Sequence, residues 1–219
     1  PEAKIIHIDI DAAEVDKIMP STVSIVADVE SVFPVLARLI VEKKINAPSD
    51  WLKKIVKLKA ENTSVETGRP LGEKLINPRE IISSVPKMAE KAGIAQEKLI
   101  VTTDVGQHQM WAAQYYPVER PRSFLTSGSL GTMGFGLPVA IGAALENPEN
   151  RIVCFSGDGS IMMNVQEMAT LAELNLPVTI IVFQNGTLGM VYQQQKYLFQ
   201  KNYSASVFDR VPDLLSIAK

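Results

Sequence analysis

The sequence predicts an α/β fold, a parallel sheet with helices on both faces. Three observations predict it. Short runs rich in apolar and β-branched residues recur at 98–103, 123–126, 151–156 and 178–184, which is the pattern of buried strands. Between them lie stretches with helical spacing, long enough to serve as crossovers between parallel neighbours. Glycine, aspartate, asparagine and glutamine concentrate in the loops directly after those runs, where the carboxyl ends of parallel strands gather ligands.

In chain order, residues 4–10 (KIIHIDI) form an apolar run suited to a buried strand. Asp11 then opens a helix, with Glu14 three residues on as its capping-box partner. A strand is expected at 22–27 and a helix at about 30–43. Residues 46–76 read as a linker with one helix in it. There Lys53, Lys54, Lys57 and Lys59 alternate with Trp51, Leu52, Ile55, Val56 and Leu58, the solvated face of an amphipathic helix, before a polar stretch at 62–74. Asn77 and Pro78 supply an N-cap and a proline at the first helical position, and Gly93 closes that helix. A strand at 98–103, a helix at 107–115 and a short strand at 123–126 follow. Next come a glycine-rich turn with a helix at 132–146, a strand at 151–156, a helix at 161–174, a strand at 178–184 and a helix from Leu188. Pro1 leads almost directly into a strand-like run, and 213–219 reads as a helix stopped midway. The sequence is therefore expected to be a piece of a longer polypeptide whose true N-terminus lies elsewhere. It holds no internal repeat and no low-complexity tract.

Composition narrows the function classes. Apolar residues at 46% and charged ones at 21% describe an ordinary globular chain and argue against disorder. A net charge of −2 with no block of one sign gives no footprint for nucleic acid or an anionic membrane. Apolar stretches such as 176–183 are too short to span a bilayer. Cys154 is the single cysteine, so an internal disulfide is excluded, and a reducing, cytoplasmic setting is expected. It lies in the apolar run 152–155, where a buried, inert thiol is the ordinary outcome.

Three strand-end loops carry the candidate chemistry: 104–109 (DVGQHQ), 127–136 (SGSLGTMGFG), and the pair 157–160 (GDGS) and 184–189 (QNGTLG) on adjacent strands. Glycines let the backbone approach a ligand. Asp158 offers a hard oxygen to Mg²⁺, which takes few protein ligands and shares the rest with phosphates. Asn185 stands twenty-seven residues after Asp158, a gap that one helix and one strand fill, so both side chains can reach one ion. Each feature alone has a blander reading. Gly-Asp-Gly is usually a tight turn, a single histidine such as His108 is usually packed or solvated, and Met133 and Met190 would fill gaps in a core. Gly128, Gly131, Gly134 and Gly136 could serve helix–sheet packing alone, and they do not spell the dinucleotide fingerprint G-x-G-x-x-G. His7, inside a strand run, is structural.

The order strand, Gly157-Asp158-Gly159, helix, strand, Asn185 resembles the fingerprint of thiamin-diphosphate enzymes, with Gln184 where the family usually has a first asparagine. The segments TTDVGQHQMWAAQYY and LTSGSLGTMGFGLPVAIGAAL are similar to the large catalytic subunit of acetolactate synthases, and the likeness covers nearly the whole chain. It implies that 1–45 end a flavin-binding α/β middle domain. Residues 77–219 would then be a thiamin-diphosphate-binding catalytic domain cut short at its C-terminus.

The resemblance implies thiamin diphosphate, Mg²⁺ and FAD as cofactors of the intact enzyme. Asp158, Asn185 and the Thr187 carbonyl would hold Mg²⁺. Gln107 and His108 would approach the diphosphate, within a site that also includes Gly157, Gly159, Ser160 and Gly189. The Gly131 carbonyl would accept the cofactor's 4′-amino group, Met133 would be the wedge that bends the cofactor, and Met190 would line the cofactor and substrate pocket. Asp9 and Asp28 match acidic positions that contact the flavin, with plain strand-end turns as the rival reading. The implied reaction decarboxylates pyruvate and condenses the two-carbon fragment with a second 2-keto acid, giving acetolactate or acetohydroxybutyrate for branched-chain amino acids. The implied assembly is a homodimer or tetramer with the site at the subunit interface, and a regulatory small subunit is left open. The family's activating glutamate lies on an N-terminal domain that no segment here resembles. No catalytic residue is therefore assigned in this chain, and alone it is expected to show no turnover.

One departure stands out: Gly189-Met-Val-Tyr-Gln-Gln-Gln195 has Gln194 where many family members have a tryptophan that helps accept the larger second keto acid and bind herbicides. Weaker preference for 2-ketobutyrate and weaker herbicide sensitivity are expected. The rival readings are a thiamin-dependent pyruvate oxidase or 2-keto-acid decarboxylase, a noncatalytic Mg²⁺–phosphate module, and a Rossmann dehydrogenase.

Overall fold

The computed structural model describes residues 3–46, 48–65 and 75–218. The chain divides into two compact units, residues 1–70 and 71–219.

The first unit pairs two parallel strands, β1 (Ile6–Asp9) and β2 (Val23–Val26), in the register Ile6↔Val23 to Asp9↔Val26. Helix α1 (Val29–Glu42) follows, with Asp28 as N-cap accepting from the Glu30 N–H at 2.8 Å. Helix α2 (Ser49–Val65) carries the lysine-rich stretch, with Lys54 over the Trp51 ring and Lys57 3.7 Å from Glu61. The rest of the polar stretch, 66–74, lies outside the described residues.

Two expectations fail in this unit. No helix forms at Asp11, where a series of turns runs instead. The aspartates there satisfy the backbone locally: Asp9 accepts from the Asp11 N–H and Asp11 from the Ala13 N–H, each at 2.8 Å. Side-chain bonds of this kind compete with a helix ladder, and Asp16, in a left-handed conformation at φ 60°, stops one from propagating. The strand expected to be buried is shorter and half exposed, with Ile6 at 62%. Two strands and one flanking helix cannot enclose a core.

The second unit begins with α3 (Pro78–Lys91), capped by Asn77 through the Arg79 N–H at 3.0 Å and followed by Gly93 at φ +77°. A 3-10 turn (Gln96–Lys98) leads into β3 (Leu99–Thr103), then α4 (Gln107–Tyr115), β4 (Phe124–Thr126), α5 (Gly136–Glu146) and β5 (Arg151–Gly157). After them come α6 (Asp158–Ile161), α7 (Glu167–Glu173), β6 (Val178–Phe183), α8 (Gly189–Leu198) and α9 (Leu214–Ile217). The sheet has the order β4-β3-β5-β6 and every pairing is parallel. The chain leaves β3 toward one edge and returns to lay β5 on the other side. The strand order therefore reverses between β3 and β5, and a ligand crevice forms at the carboxyl ends around such a reversal.

Alternation along the strands divides the core between the two faces. Leu99, Val101, Val153 and Phe155 pack with Ile82, Val85 and Ala89 of α3 and Ala112 of α4. Ile100, Ile152 and Cys154 face Ala140, Ala143 and Ala144 of α5, whose small side chains let that helix lie close to the sheet. Cys154 is fully buried, and desolvation pushes its thiol up to about 12, so it is an inert core residue. No helix among the described residues is long and apolar enough to cross a membrane.

Two helices differ from expectation. The one expected at 132–146 starts only at Gly136, because Gly131 (φ +63°) and Gly134 (φ +86°) hold the preceding turn in left-handed conformations. The one expected at 161–174 is broken into α6 and α7. In the gap, the Asn164 side chain leaves local bonding and donates to the Gly134 carbonyl at 2.6 Å.

Candidate functional site

The site is built on the loops after β3, β4, β5 and β6. Asp104, fully buried at the end of β3, accepts the Val105 and Gly134 N–H groups on Oδ1 at 2.7 and 2.8 Å, and the Gly136 N–H on Oδ2 at 2.9 Å. Thr102 Oγ1 donates to the Gly136 carbonyl at 3.1 Å. The glycine-rich turn carrying Gly131 and Met133 is thus pinned at its base from both sides, by Asp104 and Asn164.

His108, in the first turn of α4, is 5% exposed. Its ring stacks on Phe183 with centroids 6.3 Å apart. Two glycines form the slot around it: a Cβ on Gly106 would stand 2.7 Å from His108 Cε1, and one on Gly157 would stand 3.0 Å from the same atom. Desolvation lowers its pKa to about 4 against the opposing charge of Asp104, so the ring is neutral at pH 7. Its Nε2 is the sole buried side-chain nitrogen or oxygen without a hydrogen-bond partner among the described residues. An unsatisfied buried acceptor or donor is costly, and here it stands in a cavity wall, where a polar ligand can satisfy it.

Asp158 joins the ends of β5 and β6. It is 2% exposed and accepts the Gly159 N–H on Oδ1 at 3.0 Å. Its Oδ2 accepts the N–H groups of Asn185 and Gly186 at 3.1 and 2.6 Å. Asn185 Oδ1 accepts from the Thr187 N–H and hydroxyl at 3.0 and 2.9 Å, a turn that Gly186 allows at φ +68°. Ser160 Oγ accepts the Gly157 N–H at 3.1 Å. Across the crevice, Gln107 Nε2 donates to Gln193 Oε1 at 2.8 Å, and Gly189 leaves room for this, since any Cβ there would collide with Gln107.

These loops enclose a cavity of about 160 Å³. All twelve residues singled out from the sequence as cofactor-binding line it: Gln107, His108, Gly131, Met133, Gly157, Asp158, Gly159, Ser160, Asn185, Thr187, Gly189 and Met190. Val105, Gly106, Phe183, Leu188 and Val191 also line it and were missed. Of these, only Gly106 carried a signal, a glycine between a strand end and a helix. Asp104 was missed as well, because a strand-end aspartate reads as an ordinary turn residue. Gln194 is exposed on α8 and does not line the cavity. Asp9 and Asp28 belong to the first unit, where both accept hydrogen bonds from the adjoining backbone as turn and cap residues.

The donor set fits a hard cation. Asp158 and Asn185 bring oxygen atoms to one place, and among the described residues no cluster of three or more His, Cys, Asp or Glu offers a softer, multi-ligand alternative. A glycine-lined crevice at the switch point, with the neutral donor or acceptor of His108 left open, suits a phosphate-bearing ligand that shares this cation.

Fold and site together define an α/β domain that binds a diphosphate cofactor through a divalent ion. Residues 104–219 match the sequence model of the thiamine pyrophosphate enzyme, C-terminal TPP binding domain, and the chain belongs to that family. It is 46% identical over 218 residues to the acetolactate synthase isozyme 1 large subunit of Escherichia coli K12, covering 100% of this chain and 37% of that protein. It is 39% identical over 219 residues to a probable acetolactate synthase large subunit of Methanocaldococcus jannaschii, covering 100% of this chain and 36% of that one. To the isozyme 2 large subunit of E. coli K12 it is 39% identical over 218 residues, covering 100% and 37%. The chain thus spans a little over a third of the length of these relatives.

Proposed function

We propose that this chain is the cofactor-binding part of a thiamin-diphosphate-dependent acetolactate synthase. The observation that carries the reading is the Asp158–Asn185 pair, joined across β5 and β6 at the floor of a cavity lined by the other candidate residues. The names of the relatives support the choice of acetolactate synthase over an oxidase or decarboxylase.

Asp158, Asn185 and the Thr187 carbonyl would bind Mg²⁺, and Gln107 and His108 would receive the diphosphate, satisfying the open His108 nitrogen. Gly131 and Met133 would hold the pyrimidine end, with Met190 beside the substrate. The bound cofactor supplies a nucleophilic carbon and an electron sink for decarboxylating a 2-keto acid. The residues of this chain contribute orientation and exclusion of water. A neutral His108 can donate or accept one proton-sharing bond there without adding charge. Pyruvate and a second 2-keto acid are the proposed substrates. FAD binding near Asp9 and Asp28, a homodimer or tetramer with the site at its interface, and a regulatory small subunit belong to the same proposal. So does the lack of turnover by this chain alone, since its resemblance includes no activating glutamate.

Two measurements test it. Thiamin diphosphate should bind with Mg²⁺ and lose affinity with EDTA or in Asp158→Ala; equal binding of the variant would remove the metal assignment. The intact enzyme given pyruvate, thiamin diphosphate, Mg²⁺ and FAD should release acetolactate. Acetaldehyde, acetate or acetyl phosphate as main product would move it to the decarboxylase or oxidase branch.

A further inference from the structure

The metal loop does not hold itself in place. Residues 186–188 pair antiparallel with a return segment about twenty residues further on: Leu188 N–H donates to the Ser206 carbonyl at 2.8 Å, Phe208 N–H donates to the Gly186 carbonyl at 2.9 Å, and Thr187 forms a bridge with Val207. The return segment has little structure of its own. It lies in no helix or strand, and Ala205 takes a left-handed conformation at φ 52°. What shapes it is one side chain of α8. Gln195 Nε2 donates to the Ser204 carbonyl at 2.8 Å, and its Oε1 accepts the Ser204 N–H at 3.3 Å and the Ser206 hydroxyl at 2.5 Å. Ser206 is completely buried. Tyr192, one helical turn earlier, stacks on Tyr203 with centroids 4.4 Å apart, which fixes the start of the same segment.

We propose that Gln195 is a positioning residue for the divalent-cation site: its carboxamide sets the return segment, which by pairing with 186–188 sets the Thr187 carbonyl and the turn holding Asn185. The inference rests on the Mg²⁺ reading above. A carboxamide suits this work because it presents a donor and an acceptor to the two polar groups of one peptide unit and still accepts a hydroxyl. An apolar side chain of similar length keeps the packing and removes all three bonds.

The test is a Mg²⁺ titration of the full chain at saturating thiamin diphosphate, followed by the fluorescence of Trp111, whose ring meets the cavity-lining Phe183 edge-on. Gln195→Leu should raise the half-saturating Mg²⁺ concentration about tenfold, as expected for losing a small hydrogen-bond cluster. Excess Mg²⁺ should restore the full signal, which simple misfolding would not allow. Ser206→Ala should shift the midpoint in the same direction by about two- to threefold. An unchanged Mg²⁺ midpoint in Gln195→Leu with a wild-type melting curve overturns the inference and leaves the Mg²⁺ reading standing. If Gln195→Leu does not fold, Ser206→Ala decides alone, a shift supporting the proposal and an unchanged midpoint overturning it. A wild-type chain with no Mg²⁺-dependent response overturns the Mg²⁺ reading and the inference with it.

Discussion

Asp104 accepts the main-chain N–H of Gly136, thirty-two residues later, at 2.9 Å on a carboxylate with no exposure to solvent. The same group takes the Val105 and Gly134 N–H groups, so one side chain joins the loop carrying His108 to the turn carrying Gly131 and Met133. Asp104→Ala would leave three buried donors without an acceptor. We expect a stability loss of about 3–5 kcal/mol in urea denaturation, because buried donors lose their partner with no water to replace it. Gly136→Ala should also destabilise, by about 1–3 kcal/mol, since its Cβ would stand 2.7 Å from the Asp104 backbone nitrogen, which cannot swing away. A loss below about 1 kcal/mol for Asp104→Ala would show that water replaces the carboxylate.

His108 makes stability depend on pH with a defined sign. Burial holds its pKa at about 4, below the ordinary 6.5. The folded chain therefore keeps the ring neutral, while the unfolded chain takes up a proton as the pH falls through 6.5. The contribution is fully present above pH 6.5 and is lost progressively toward pH 4. Between pH 7 and 5 the loss should reach about 2 kcal/mol, a window that mostly precedes carboxylate titration. His108→Leu should remove this slope. It should cost little or nothing at pH 7, because it also removes the unpartnered Nε2. Parallel stability–pH curves for the two proteins would contradict the assignment.

How legible this molecule is from its sequence depends on how far apart the interacting residues lie. Asp158 and Asn185 can be read together because strand, turn, helix and strand between them leave only one geometry, and the strands of the second unit alternate cleanly between two faces. Asp104 could not be read, because its partners lie 30 and 32 residues away and nothing local distinguishes it from a turn residue. Phe183 looks like one more apolar strand residue, yet it is the surface on which His108 stacks. The break between α6 and α7 depends on Asn164 reaching Gly134, a tertiary bond that outweighs a helical pattern. At Asp11 the reverse occurred: local aspartate bonds won where no tertiary packing supported a helix.

Gly106 should be intolerant of substitution for a functional reason. Its φ of +154° lies where side-chain-bearing residues are strained, and a Cβ would meet the His108 ring at 2.7 Å. In Gly106→Ala the ring has to leave its slot between Gly106 and Gly157. The affinity for thiamin diphosphate in the presence of Mg²⁺ is expected to fall by about tenfold, the equivalent of one to two kcal/mol of strain. Titration calorimetry checks this; unchanged affinity would mean that the His108 position is not needed for binding.

Gln194 sits one helical turn beyond the cavity-lining Met190 on α8, at a spacing of four residues that places both on the same helix face. It is exposed, so a larger side chain can enter here without disturbing a packed core. In the proposed carboligation, an indole at this place would add apolar surface for the extra methylene of 2-ketobutyrate. Such a contact discriminates by about 1–3 kcal/mol at most. Gln194→Trp in the intact enzyme should therefore raise the ratio of acetohydroxybutyrate to acetolactate by about five- to tenfold under competition, with thiamin diphosphate affinity unchanged. Product ratios equal to those of the unsubstituted enzyme would show that α8 does not border the second-substrate position. A changed ratio with weakened cofactor binding would instead trace the effect to Gln107 and Gln193, whose 2.8 Å contact lies next to residue 194.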